Sequence, residues 1–283
     1  MSPNHESRIA NAGSLAFIGG GNMARALIGG LIRNGTAAAS IAVSEPSAEL
    51  RDALARDFGV HVYATNDDAA RESEVLVLAV KPQVMKMVCT GLRAIAQARK
   101  PLIVSIVAGI RNDQLDAWLG GDVAIVRCMP NTPALIGAGA AGVCANARVS
   151  QAQRTLAQDI LAATGAVVWI DDEALMDTVT ALSGSGPAYF FLLVEALVDA
   201  AVAQGLPRDT ATELAAQTCL GAGRMLREDV AAPAELRRRV TSPGGTTQAA
   251  LDSFAASDFN TIVARAVAAA TRRGAEMSAQ LDA

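Results

Sequence analysis

The chain has 283 residues, 51% of them hydrophobic and 18% charged, so it is long enough for two domains and can bury a large core. A net charge of −4 and the lack of a long basic run argue against nucleic acid as a partner. Cys89, Cys128, Cys144 and Cys219 show no CxxC spacing, so neither a disulfide framework nor a metal site is expected.

Residues 1–13 read as a flexible polar tail without an apolar core of signal-peptide length, which leads us to expect a cytoplasmic protein. The apolar run Leu15 to Ile18 then ends in Gly19-Gly20-Gly21 and gives way to a helical pattern from Met23 to Leu31. Strand, tight turn and helix in that order, with Gly19, Gly21 and Ala24 at the G-x-G-x-x-G/A spacing, form a dinucleotide fingerprint. Gly19 permits the turn, Gly21 carries no side chain to keep a pyrophosphate off the backbone, and Ala24 lets the helix pack close to the strand. Gly20, Asn22 and Met23 complete the candidate phosphate site, because a helix start offers unpaired N–H groups and the positive end of a dipole.

A second strand, Ile41 to Ser44, ends at Glu45-Pro46. Glu45 lies about where an acid takes the ribose 2′-hydroxyl of NAD. The neighbouring Ser44, Ser47 and Arg51 could instead hold the 2′-phosphate of NADP, and Glu45 could be a helix-start acid; both questions stay open. Ser47 to Phe58 reads as helix, His61 to Tyr63 as strand and Asn66 to Arg71 as a capped helical turn. The continuous apolar run Glu74 to Val80 suits a strand buried on both faces. Its carboxyl end, Ala79-Val80-Lys81-Pro82, is expected beside the cofactor, since ligands bind at that end of such strands.

Strands are expected at Pro101 to Ile106 and Val123 to Cys128, with a helix from Asn112 to Leu119 between them. Met129 to Pro133 is a stiff turn in which Asn131 offers both a donor and an acceptor, and it joins the candidate cofactor residues. Gly137 to Ala145 reads as an edge strand, Ser150 to Thr164 as a helix and Ala166 to Ile170 as a last strand. The fold class expected is α/β, with a Rossmann-like, mostly parallel sheet over residues 14–170.

From residue 171 to 283 only helical patterns appear, which predicts an all-helical second domain. Ser183-Gly184-Ser185-Gly186-Pro187 reads as a turn opening a helix from Ala188 to Gln204, capped at Gly205. Arg208 to Glu228, Ala234 to Val240, Gln248 to Ala255 and Phe259 to Gln280 follow. The basic cluster Arg237-Arg238-Arg239 reads as a solvated or phosphate-facing helix turn. The apolar segment Tyr189 to Ala203 is interrupted by Glu195 and Asp199 and reads as too short to span a bilayer. Being apolar nearly all round, it must be covered on every side, and a helical domain of this size has little interior. A homodimer through residues 171–283 is therefore expected.

The chemistry is narrowed by what is scarce. The two histidines are His5 and His61, and all three lysines precede residue 101, so the helical half holds neither. Reducing a ketone leaves an alkoxide that needs a general acid. Reducing an iminium leaves a neutral amine, so hydroxyls and amides that orient the substrate suffice. Ser183 and Ser185 supply such groups, as do Ser242, Thr246 and Thr247, with Gly244 and Gly245 freeing N–H groups before a helix, a ready carboxylate site.

Taken together, IGGGNMA at 18–24, AVKPQ at 79–83, MPNTPALIGAG at 129–139, SGSGPAYFF at 183–191 and SPGGTTQAAL at 242–251 resemble pyrroline-5-carboxylate reductase. The resemblance runs from Leu15 to Phe254. It implies reduction of 1-pyrroline-5-carboxylate to L-proline with NADPH or NADH, the last step of proline synthesis, and an interlocked helical dimer that in this family often builds decamers. It also implies that Thr247 approaches the substrate nitrogen and that the loop around Gly245 and Thr246 binds the carboxylate. Glu45 is the local departure and leaves cofactor preference open. A β-hydroxyacid dehydrogenase shares the layout but would place a catalytic lysine in the helical half. A non-catalytic NADP(H) sensor would not require the hydroxyl and glycine loops.

Overall fold

A computed structural model describes residues 14–280, and the polar tail lies outside them. Eight strands form one sheet in the order β3-β2-β1-β4-β5-β6-β7-β8. They are β1 (Leu15–Ile18), β2 (Ile41–Ser44), β3 (His61–Tyr63), β4 (Val75–Leu78), β5 (Leu102–Ser105), β6 (Ile125–Met129), β7 (Gly139–Ala145) and β8 (Gly165–Trp169). The first six are parallel, β7 runs antiparallel to β6, and β8 is parallel to β7. The strand order therefore reverses between β1 and β4, and the crevice at their carboxyl ends is where a doubly wound sheet takes a ligand.

Helices cover both faces. They are α1 (Asn22–Arg33), α2 (Ala48–Phe58), α3 (Asn66–Ala70), α4 (Pro82–Arg99), α5 (Asn112–Trp118) and α6 (Gln151–Ala162). Alternation along the strands feeds two cores. Leu15, Phe17, Val75 and Val77 pack with Leu27, Ile28 and Ile160 on one face. Ala16, Ile18, Leu76 and Leu78 pack with Met85, Leu92 and Leu115 on the other. Strands buried on both faces must be apolar at every position, which is why β1 and β4 read as unbroken runs.

Two features differ from expectation. The segment Gly139–Ala145 is not an edge strand: it lies between β6 and β8, and β3 and β8 are the edges. Its small residues admit a neighbour, since a Cβ on Gly142 would meet Val179 Cγ1 at 2.3 Å. Between β4 and β5 the helix α4 has no counterpart among the expected elements. Its buried residues Met85, Val88, Cys89, Leu92 and Ala96 recur at helical spacing behind Pro82 in the first turn. Burial also pushes the Cys89 thiol up to about 12, so the group stays protonated and inert.

After β8 come a 3₁₀ turn (Glu173–Leu175), α7 (Met176–Val179) and a π-helical turn (Thr180–Gly184). Then come α8 (Gly186–Ala203), α9 (Arg208–Glu228), α10 (Pro233–Arg239), α11 (Thr246–Ala256) and α12 (Phe259–Gln280). The chain divides into two compact units. The first takes the sheet, everything up to Gly184 and the residues from Ala270 onward; the second is Ser185–Ala269. In the first unit, Glu173 forms an ion pair of 3.1 Å with Arg127, whose side chain is 5% exposed, and also accepts the Asn112 N–H at 2.8 Å. A charged residue inside the apolar strand β6 requires such a partner.

The second unit has almost no core of its own. Val198, Ala211 and Leu236 are its buried hydrophobic residues, while Phe190, Phe191, Leu192, Leu214, Leu220 and Ile262 are all exposed in the single chain. The helical run Glu173–Ala203 is longer than Tyr189 to Ala203 and meets the length and apolarity needed to cross a bilayer, although Glu195 and Asp199 interrupt it. In the basic cluster, Glu235 binds both Arg238 and Arg239, and Asp229 also holds Arg239. That turn is a local ion-pair network.

Candidate functional site

At the carboxyl end of β1 the backbone turns sharply. Gly19 sits at φ +103, and its N–H donates to the Ser44 carbonyl at 2.9 Å. A Cβ there would meet the Ala79 carbonyl oxygen at 2.7 Å, so Ala79 and Val80 wall the turn. Gly20 is enclosed as well, with Leu54 Cδ1 at 2.5 Å from the position of a Cβ. Gly21 is different: it is exposed and a Cβ on it would meet nothing within 4 Å. Behind it α1 starts with no side-chain cap and no acid in its first turn. The N–H groups of Asn22, Met23 and Ala24 stand at this start, and Ala24 is buried against the sheet.

This is a cradle of the kind a dinucleotide pyrophosphate fits: open space over a side-chain-free residue, in front of an uncapped positive helix end. Glu45 borders it. Its carboxylate accepts the Gly20 N–H at 3.1 Å and the Ser47 N–H at 3.0 Å, which ties the glycine turn to the end of β2. The Ser44 hydroxyl is buried and donates to Asn66 Oδ1 at 2.7 Å, so it is turned inward, away from a ligand. The partner, Asn66, was not among the expected site residues. Arg51 Nη1 donates to the carbonyls of Glu45 and Pro46 at 2.7 and 2.8 Å. Lys81 is exposed at the start of α4, just before Pro82.

The Asn131 amide donates to the Ser183 carbonyl at 3.0 Å, and its oxygen accepts the Ala140 N–H at 2.9 Å. Both ends of this buried side chain already have a partner inside the protein, which ties the turn after β6 to the start of β7 and to the π-turn. Ser183 is placed differently from expectation. The string from Ser183 to Pro187 is not an open turn but continues helically, and the Ser183 hydroxyl donates to the Val179 carbonyl at 3.0 Å. A serine hydroxyl bonded back to the preceding turn satisfies itself within a helix. Ser185 caps α8.

In the second unit, Ser242, Pro243 and Gly244 are exposed, with Gly244 at φ +68. The Gly245 N–H closes the turn on the Ser242 carbonyl at 3.0 Å. Helix α11 begins at Thr246, two residues before the expected start, so Thr246 and Thr247 occupy its first turn. Gly245 at its N-cap has no side chain to satisfy the N–H groups, and the first turn has no acid. Helices α1 and α11 thus share one feature, an uncapped, acid-free start directly behind a glycine, Gly21 in one unit and Gly245 in the other.

The family model for pyrroline-5-carboxylate reductase dimerisation matches residues 173–277. The one described as NADP oxidoreductase, coenzyme F420-dependent, matches residues 14–109. A pyrroline-5-carboxylate reductase of Pseudomonas aeruginosa is 54% identical over 269 residues, 94% of this chain and 97% of that protein. The chain belongs to the pyrroline-5-carboxylate reductase family. The solved structure of a pyrroline-5-carboxylate reductase from Coxiella burnetii matches at a TM-score of 0.92 and 42% identity, covering 95% of this chain and 99% of that one. A Plasmodium falciparum pyrroline carboxylate reductase, solved with NADP bound, matches at 0.81 and 31% identity, covering 94% and 98%. The dimerisation model spans α8 and α9, whose apolar residues are exposed in the single chain.

Proposed function

We propose that the chain reduces the C=N bond of 1-pyrroline-5-carboxylate to give L-proline, the last step of proline synthesis, in the cytoplasm. The observation that carries the substrate side is the start of α11, a helix N-terminus left uncapped behind Gly244 and Gly245. There the amides of Gly245 and Thr246 hold the carboxylate, the Thr247 hydroxyl meets the ring nitrogen, and Ser242, Gly244, Ser183 and Ser185 border the substrate. Residues 14–170 serve the cofactor and residues 171–283 the substrate and the dimer. NADPH or NADH supplies the hydride when bound over Gly19 to Ala24. The helical half contains no lysine and no histidine, and an iminium substrate needs no proton from it. That separates this reading from a β-hydroxyacid dehydrogenase.

Thr247→Ala is expected to lower kcat/KM for pyrroline-5-carboxylate by about 1–3 kcal/mol, the cost of an unpaired polar contact. Cofactor affinity should be unchanged, and Thr247→Ser should keep most of the activity. Steady-state NAD(P)H oxidation measures all three. Full activity in Thr247→Ala would leave the loop as a helix start only, and no turnover in the unaltered protein would favour a cofactor sensor.

Both cofactors are expected to be accepted, with Glu45 disfavouring the 2′-phosphate. Two like charges a few ångströms apart in a solvated site repel by about 1 kcal/mol. Glu45→Gln, which keeps an oxygen for the Gly20 N–H, should therefore raise the NADPH/NADH ratio of kcat/KM by about fivefold. An unchanged ratio would make Glu45 a strut of the glycine turn and nothing more. The same proposal has the chain pair as a homodimer through the helical half, and light scattering distinguishes that dimer from a decamer.

A further inference from the structure

The π-helical turn Thr180–Gly184 passes into α8, with Pro187 in the first turn of that helix. In an α-helix the Ser183 carbonyl would accept the N–H of residue 187, and proline has none. A π-helical pattern would look one residue further, but the Ala188 N–H goes to the Ser185 carbonyl at 3.0 Å. The donor that reaches the Ser183 carbonyl is the Asn131 side-chain amide, at 3.0 Å. The oxygen of the same amide holds the Ala140 N–H at 2.9 Å, and the residue is 9% exposed. One buried side chain therefore joins the turn after β6, the start of β7 and the π-turn.

We infer that Asn131 is a positioning residue for the reaction: its amide supplies the hydrogen bond that Pro187 withholds from Ser183 and so fixes the π-helical turn that carries Ser183 and leads into Ser185. The inference rests on the reading above, in which pyrroline-5-carboxylate is bordered by Ser183 and Ser185. Asn131 acts through the Ser183 carbonyl and touches neither reactant. The Ser-Gly-Ser-Gly-Pro string and the Asn of Met-Pro-Asn-Thr-Pro are then two halves of one device. The proline opens a vacancy in the helix ladder, and the asparagine fills it from the sheet.

The test uses the full-length protein, with steady-state kinetics on pyrroline-5-carboxylate and NADPH alongside fluorescence titration of NADPH. Asn131→Asp keeps the oxygen that serves Ala140 and removes the donor to Ser183. Its KM for pyrroline-5-carboxylate should rise about tenfold, the usual size of one lost buried hydrogen bond, with the NADPH dissociation constant within about twofold. Pro187→Ala restores a backbone N–H at position 187, so in that background Asn131→Asp should recover most of the lost affinity. A side chain that merely holds the fold together would lower the melting temperature and the active fraction while leaving KM alone. An unchanged KM, a cofactor constant that rises in step with it, or no recovery in the Pro187→Ala background would each overturn the assignment. Should Asn131→Asp alone fail to fold, the double variant carries the test, and failure to fold there overturns it too. If the unaltered protein shows no turnover with pyrroline-5-carboxylate, the substrate reading falls separately. Coupling between positions 131 and 187 in thermal unfolding then still decides the hydrogen-bond exchange.

Discussion

Gly19→Ala is expected to lower the melting temperature by on the order of 10 °C, whereas Gly21→Ala, two residues away, leaves it within about 2 °C and weakens cofactor binding about tenfold or more. The two glycines look alike in the fingerprint, yet the structure gives them opposite tasks. At Gly19 the backbone has φ +103, and a methyl group would sit 2.7 Å from the Ala79 carbonyl oxygen. Strain and overlap there together cost about 3 kcal/mol or more, because the oxygen belongs to backbone between β4 and α4 and cannot swing aside. At Gly21 the backbone has φ −69 and ψ −179, which alanine adopts without strain, and a methyl group meets no protein atom within 4 Å. It would instead stand in the space through which a phosphate approaches the first amides of α1. Thermal unfolding and NADPH titration on the two variants separate these effects. If Gly21→Ala binds NADPH as the unaltered protein does, the pyrophosphate does not lie over this helix start. If Gly19→Ala melts normally, the turn is not held as described.

Wherever one residue type has one physical use, the fold was legible in the sequence. An unbroken apolar run such as Leu15 to Ile18 can be satisfied only by burial on both faces, and three glycines before a helical pattern leave few alternatives to a phosphate turn. Glycine and alanine in β7 are ambiguous, because small residues serve an exposed edge as well as a closely packed interior strand, and the pairing with β8 on the side away from β6 is what makes β7 interior. Met85, Val88, Cys89 and Leu92 mark α4 by their helical spacing, but Lys81-Pro82 closes a strand as readily as it opens a helix. The pairings Asn131 with Ser183, Ser44 with Asn66 and Arg127 with Glu173 join residues 52, 22 and 46 positions apart. No local pattern encodes such contacts. Arg127 within Ile-Val-Arg-Cys-Met, a charge inside an apolar strand, was the one visible hint that a buried partner must exist.

Phe191→Glu is expected to abolish the folded dimer, although the residue is 67% exposed in the single chain. On a monomer, a substitution at so exposed a site changes stability by no more than about 0.5 kcal/mol. Buried against a second copy, an unpaired carboxylate costs several kcal/mol and leaves the helical half without cover. The second view follows from how little this unit buries alone. Val198, Ala211 and Leu236 are its buried hydrophobic residues, and a cavity of about 880 Å³ lined by Leu193, Leu197, Leu251, Phe254 and Phe259 opens on its surface. Monomeric soluble proteins rarely expose contiguous apolar surface on this scale. The unaltered protein should accordingly melt at a temperature that rises with protein concentration, as an obligate dimer does, and Phe191→Glu should elute as aggregate or unfolded chain. A Phe191→Glu protein that is monomeric by light scattering and unfolds cooperatively would show that the helical half stands alone. A fragment of residues 171–283 that stays monomeric and cooperatively folded at low concentration would show the same by a second route.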